Sequence, residues 1–200
     1  MSELKQKIAI LYFHPTHHKS RINRSLVKAV ENLDGVTFRN MYDLYPDFHI
    51  YVKQEQDILL QHDIIIWQHP FYWYSAPSLL KEWIDLVLEH GFAYGRKGTA
   101  LKGKKVMSAI TSGGRRDVYK KGGLRGHTVP QLLLPFEKTV LLCNMDYLPP
   151  YVVHGTHLLD KEGIRKASED YKKLIISLRD SLFSKEEINS QEYMNDLLNR

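Results

Sequence analysis

A single cysteine, Cys143, occurs in 200 residues, so no disulfide can form within the chain. A reducing, cytoplasmic compartment is therefore expected. No apolar run approaches the roughly 18 residues that a spanning helix needs. The first residues, MSELKQK, are polar and carry no signal-peptide core. Neither sign of charge dominates, with 28 Lys and Arg against 23 Asp and Glu and a net charge of +5. That excess suits an anionic ligand or surface but is no nucleic-acid footprint, so no nucleic-acid partner is expected. Several signatures are also missing. No G-x-G-x-x-G follows the first strand, and neither G-x-x-x-x-G-K-[ST] nor G-x-S-x-G occurs. These absences argue against a dinucleotide Rossmann site, a P-loop nucleotidase and a serine hydrolase.

What is present is ample core material, 43% hydrophobic with 11% aromatic residues. Strand patterns fall at 7–13, 37–44, 63–68, 105–111 and 147–154. The first, third and fourth are near-continuous apolar runs, as in strands buried on both faces of a parallel sheet. Helical patterns lie at 22–33, 54–61, 78–89, 129–143 and 161–182. This alternation predicts an α/β fold, an open doubly wound five-stranded parallel sheet with helices on both faces. One domain is expected over 1–183. The tail, 184–200, opens with Ser184-Lys185-Glu186-Glu187, an N-cap followed by acidic residues, and reads as a short terminal helix or a loosely docked appendage.

Ligands of open α/β sheets bind beyond the carboxyl ends of the strands. The loop after the first strand holds His14, Pro15, Ser20, Arg21, Ile22 and Asn23. Ser20 and Asn23 at a helix start, with the free amides there, make an anion site that would suit a phosphate. His14, His17 and His18 match no zinc spacing and lack a carboxylate or thiol nearby, so no metal site is expected. The loop after the third strand runs Pro70-Phe71-Tyr72-Trp73-Tyr74-Ser75-Ala76-Pro77. Its aromatic run between prolines fits a flat ring, or else a plug over the core or a contact between copies. The prolines are expected to hold this backbone extended. The loop after the fourth strand, Thr111-Ser112-Gly113-Gly114, lets the backbone approach a ligand closely. Together the loops describe a site for a mononucleotide with a planar ring.

These residues resemble the flavodoxin-like NAD(P)H:quinone oxidoreductase family. The matching motifs are His14-Pro15 with Ser20 and Asn23, Pro70 with Trp73-Tyr74, and Thr111-Ser112-Gly113-Gly114. Tyr45-Pro46-Asp47-Phe48, Leu79-Leu80-Lys81-Glu82-Trp83 and His90-Gly91-Phe92-Ala93-Tyr94-Gly95 narrow the likeness. They are similar to the bacterial ancillary flavoproteins of glutathione-gated potassium efflux systems and to general stress protein 14. The likeness covers about 7–180. It implies FMN, with FAD in the larger eukaryotic branch, and NAD(P)H as electron donor. The phosphate would fall to His14, Ser20, Arg21, Ile22 and Asn23. The ring would lie against Pro70, Phe71, Tyr72, Trp73, Tyr74 and Thr111, Ser112, Gly113, Gly114.

The resemblance further implies a two-step hydride transfer from NAD(P)H to a quinone. In the larger reductases a tyrosine and a histidine follow the glycine pair and assist it. Tyr119 matches the tyrosine. The histidine's place is Arg125, with His127 two residues later, so Tyr119 and His127 are the catalytic candidates. Arg115, Arg116, Lys120, Lys121 and Arg125 are a basic stretch that could attract nucleotide phosphates. The family also implies a homodimer and, as a second role, regulation of a potassium–proton antiporter at the inner face of the membrane. A free flavodoxin-like electron carrier fits less well, because such carriers are acidic.

Overall fold

The computed structural model describes residues 5–199. Met1 to Leu4, within the polar N-terminal stretch, and Arg200, the end of the tail, lie outside the described residues. Four long strands set the frame: β1 (Ile8–Tyr12), β2 (Val36–Asn40), β3 (Ile64–Pro70) and β4 (Lys105–Thr111). All pairings between strands are parallel, in the order β2-β1-β3-β4, with β5 (Asp146–Tyr147) beside β4. This is the flavodoxin-like arrangement.

Every residue of β1 and β3 is buried. Alternation sends their side chains to two separate cores. Ala9, Leu11, Ile65 and Trp67 face α3 (Val52–Gln61), α4 (Ser78–Val87) and α6 (Leu134–Leu142), packing with Leu59, Leu80, Trp83 and Phe136. Ile8, Ile10, Ile64 and Ile66 face α1 (Arg21–Val30) and α7 (Lys161–Arg179), packing with Leu26, Val30, Tyr171 and Leu174. Strands covered on both sides read as unbroken apolar runs for this reason.

Three elements differ from expectation. The second strand ends at Asn40, and Met41–Leu44 coils into a short helix, α2. Met41 is fully buried in that turn. The expected helix over 129–143 is two pieces, α5 (Val129–Leu132) and α6, with Pro135 in the first turn of the second. Proline has no N–H for an intrahelical bond and clashes with the preceding turn. The fifth sheet position is also split, into β5 (Asp146–Tyr147) and β6 (Tyr151–Val153), both paired with β4. Pro149 and Pro150 interrupt the ladder, since neither can donate to it. The register shifts across the break: Val106 faces Tyr147, whereas Ala109 faces Tyr151.

Beyond Phe183 the chain forms α8 (Lys185–Asn189) and a 3-10 turn, Met194–Asn199. Ser184 and Glu187 close a reciprocal capping box at the start of α8. Ile188, Tyr193, Met194 and Leu197 are buried. Among the described residues no helix is long and apolar enough to cross a membrane.

Candidate functional site

The sheet order reverses between β1 and β3, and a crevice opens at such a switch point beyond the strand ends. The loops after β1, β3, β4 and β6 converge there. Their residues enclose a cleft of about 440 Å³, of a size used for small-molecule ligands.

The first wall is the start of α1. Ser20 is its N-cap and accepts from the Asn23 N–H at 3.2 Å. The first amides of a helix have no intrahelical acceptor, so those of Arg21 and Ile22 remain for an anion. Asn23 is 2% exposed, and its Nδ2 donates to Thr111 Oγ1 at 2.9 Å. Its Oδ1 is buried without a hydrogen-bond partner. Arg21 donates to the Leu159 carbonyl, bridging to the far loop. His14 is buried, and burial lowers its pKa to about 4. Its Nδ1 accepts from the Thr16 N–H, so the neutral ring carries its proton on Nε2. His17 bonds through Nδ1 to the Tyr12 hydroxyl, and His18 is exposed.

The second wall is the aromatic loop. Pro70, Phe71 and Tyr72 line the cleft, and the Phe71 N–H donates to the Thr111 carbonyl at 2.8 Å. The backbone does not stay extended. Ser75 N–H donates to Tyr72 O, and Trp73 and Tyr74 both have positive φ, 50° and 61°. Two successive left-handed residues close a turn of the type I′ kind, a conformation that disfavours side chains with a Cβ. The turn carries Trp73 out of the cleft, where it is 94% exposed. Tyr74 leaves with it and takes a hydrogen bond from Arg125 at 3.1 Å.

The third wall is the loop after β4, bound to the loop after β6. Ser112 N–H donates to Val153 O, Gly155 N–H to Gly114 O and Thr156 N–H to Ser112 O. Thr111 and Gly113 line the cleft with Thr156 and His157. Ser112 is buried, and its hydroxyl accepts from the Gly114 N–H. Gly114 turns away from the cleft. A Cβ there would lie 2.5 Å from Cε2 of Tyr119.

Tyr119 is 8% exposed and packs edge-on to Phe71, with centroids 5.8 Å apart. It thus backs the cleft wall without lining it. His127 is exposed on the outer loop, its Nδ1 directed at the Arg125 carbonyl at 3.4 Å. The cleft therefore gathers His14, Ser20, Arg21, Ile22, Asn23, Pro70, Phe71, Tyr72, Thr111 and Gly113. Trp73, Tyr74, Ser112, Gly114, Tyr119 and His127 stand outside its lining. Sequence reasoning omitted Lys19, Thr156 and His157, which do line it. The strand-end rule extended to the fifth sheet position would have found the last two.

The donor set fits a phosphate-bearing planar ligand. Free helix amides and the Ser20 hydroxyl suit the phosphate, and Asn23 presents a buried acceptor with nothing yet to accept. This architecture and site define a flavodoxin-like protein. The model of the flavodoxin-like fold family matches residues 6–175, and the chain belongs to that family. It is 41% identical over 174 residues, 87% of this chain and 98% of the relative, to the glutathione-regulated potassium-efflux system ancillary protein KefF of Enterobacter sp. (strain 638). General stress protein 14 of Treponema denticola, solved in complex with FMN, superposes with a TM-score of 0.82. It is 37% identical, over 86% of this chain and 99% of that one. An NADPH-quinone reductase of P. pentosaceus superposes with a TM-score of 0.76 and 32% identity, over 84% and 96% of the two chains.

Proposed function

We propose that the protein binds FMN in this cleft and acts as an NAD(P)H:quinone oxidoreductase. The observation that carries the reading is the meeting, at one sheet edge, of the α1 N-terminus, the Phe71–Tyr72 wall and the Gly113 backbone. The FMN complex of general stress protein 14 supports the choice of flavin, and the likeness to an NADPH-quinone reductase supports the reaction.

The Ser20 hydroxyl and the amides of Arg21 and Ile22 hold the phosphate, while Asn23, hydrogen-bonded to Ser20 and Thr111, fixes that helix start and leaves Oδ1 to accept from a hydroxyl or N–H of the ligand. His14 stays neutral near pH 7 and offers Nε2–H as a donor. Phe71, Tyr72 and Pro70 bound one side of the planar ring, and Thr111 and Gly113 bring backbone to its edge. When bound, FMN supplies a two-electron carrier between a nicotinamide donor and a quinone. The chain orients that carrier and keeps one side of it from water. Tyr119, behind Phe71 and Gly114, supports this wall. The visible spectrum of the purified protein tests the reading. A flavin band, with NADPH oxidation that a quinone accelerates, is expected; no flavin uptake even after added FMN would sink it.

A second reading is favoured by the 41% identity to KefF. The protein would serve as the ancillary subunit of a potassium efflux antiporter, as a homodimer at the inner face of the membrane. Both roles can use the same cleft. Co-purification with a membrane antiporter encoded beside it supports this role, and sedimentation reports the oligomeric state.

A further inference from the structure

The chain from residue 184 onward lies past the stretch that the family model matches, and it is not idle. Asp196 accepts two hydrogen bonds from Arg116, at 2.8 and 2.7 Å. The same guanidinium sits 4.5 Å above the ring of Tyr193. Asn195 pairs with both backbone groups of Val152, accepting its N–H at 2.9 Å and donating to its carbonyl at 3.1 Å. Met194 N–H donates to Pro150 O. The Tyr193 hydroxyl accepts from Val129 N–H at 3.4 Å, where α5 begins. The C-terminal segment thus grips the edge strand β6 and both ends of the loop between β4 and α5.

That loop carries Tyr119, and a continuous set of ring contacts runs from the segment to the cleft. Tyr193 meets His154 edge-on at 5.9 Å. His154 meets Tyr119 at 6.0 Å, and Tyr119 meets Phe71 at 5.8 Å. Phe71 lines the cleft. His154 is half-buried between the two tyrosine rings, beside the Gly114 backbone. Packed interiors shift as units, because a displaced ring leaves its neighbours without contact.

We propose that Tyr193 and Asp196 are positioning residues: through Arg116 and His154 they fix Tyr119 behind Phe71 and Gly114, and so set the shape of the cleft wall. An isolated exposed ion pair would be too weak for this. The Arg116 contact is bidentate to a carboxylate and stacked on a ring, which makes it geometrically specific. It also withdraws Arg116 from the basic residues of its loop that could meet an anionic substrate. Arg115, Lys120, Lys121 and Arg125 remain exposed for that role.

The effect on the cleft rests on the FMN reading above, whereas the clamp itself does not, and the test separates them. In the full-length chain, Asp196→Ala is expected to speed amide hydrogen exchange over 115–127 by about tenfold, with the interior of α1 unchanged. Loaded with FMN and assayed with NADPH and 2-methyl-1,4-naphthoquinone, it should raise KM for the quinone about fivefold and leave kcat within about twofold. Asp196→Glu should restore both readouts. Arg116→Gln should reproduce the loss without adding to that of Asp196→Ala, as residues acting through one contact do. Unchanged exchange over 115–127 overturns the clamp. Faster exchange with an unaltered KM and unaltered FMN affinity overturns its hold on the cleft. Failure to take up any FMN overturns the cleft reading and the KM arm with it, while exchange still decides the clamp.

Discussion

Asn23 donates through Nδ2 to the Thr111 hydroxyl at 2.9 Å, joining the first turn of α1 to the last residue of β4 across 88 positions of sequence. Both side chains are buried. The bond fixes the start of α1 against the loop that carries Gly113. Thr111→Val keeps the shape but leaves the Asn23 amide without its acceptor. A buried donor stripped of its partner costs about 1–3 kcal/mol. Urea denaturation without FMN should show a lower midpoint with an unchanged slope. A midpoint equal to that of the natural protein would remove this bond from the account.

The two adjacent glycines should respond differently to a methyl group. At Gly113 a Cβ would come within 2.9 Å of Nε2 of His157, an exposed side chain able to swing aside. At Gly114 it would come within 2.5 Å of the ring of Tyr119, which is wedged between Phe71 and His154. Overpacking of a fixed ring costs about 1–3 kcal/mol. Gly114→Ala should therefore lower the melting temperature more than Gly113→Ala. The gap should shrink in a Tyr119→Ala background, because contacting residues do not act additively. Equal melting temperatures for the two single variants would contradict it.

The central strands were legible because β1 and β3 are buried on both faces, which leaves no polar residue to disguise the run Ile64-Ile65-Ile66. The parallel flavodoxin-like sheet followed from that run and from the helices between. Breaks were harder to see. Pro149 and Pro150 were visible in the sequence, but nothing local says that pairing resumes at Tyr151 with a shifted register. The Tyr72–Ser75 turn was hidden for a different reason. Left-handed backbone is expected of Gly or Asn, and here Trp73 and Tyr74 adopt it. Thr156 and His157 follow the fifth sheet position, where the strand-end rule would have found them, and pairing of Gly155 and Thr156 with the Ser112–Gly114 loop brings them to the cleft. The contacts of Tyr193 and Asp196 with Arg116 join distant positions that no periodicity connects.

Glu55 is a buried carboxylate with three donors around it. It binds Arg39 from β2, accepts the Tyr45 hydroxyl at 2.6 Å and accepts Nε1 of Trp83 from α4 at 3.0 Å. Its side chain is fully buried and that of Arg39 nearly so. Glu55→Ala would strand the guanidinium, a loss of about 3–5 kcal/mol for a broken buried pair. Tyr45→Phe removes one bond and should cost about 1 kcal/mol. Replacing Arg39 and Glu55 together by Met and Leu should recover part of the loss, since the lone charge is then gone while the Tyr45 hydroxyl and Trp83 Nε1–H still lack their acceptor. Urea titrations of the three variants check the order. A double variant no more stable than Glu55→Ala alone would mean that the pair is needed for more than charge balance.

Acid should weaken the fold before the carboxylates are reached. His69 is fully buried in β3, donates through Nδ1 to the Pro70 carbonyl and has no partner at Nε2. Burial lowers its pKa from 6.5 to about 4, so the folded ring is neutral. Below its ordinary pKa the unfolded chain takes up a proton that the folded chain refuses. Stability is therefore whole above about pH 6.5, falls as pH drops, and levels off for this group once the folded ring also protonates near pH 4. His14 and His154 are lowered to about 4 in the same way. His69 alone should contribute a loss of about 3 kcal/mol across that window. Glu162 and Asp180 are shifted below their ordinary values by hydrogen bonds from Arg165 and Arg179, so their own losses come at lower pH. Urea midpoints should hold from about pH 7.5 to about 6.5 and then fall down to about pH 4.5, and His69→Gln should flatten that slope. A stability that holds constant down to about pH 5 would show that these rings protonate in the folded state as readily as in the unfolded chain.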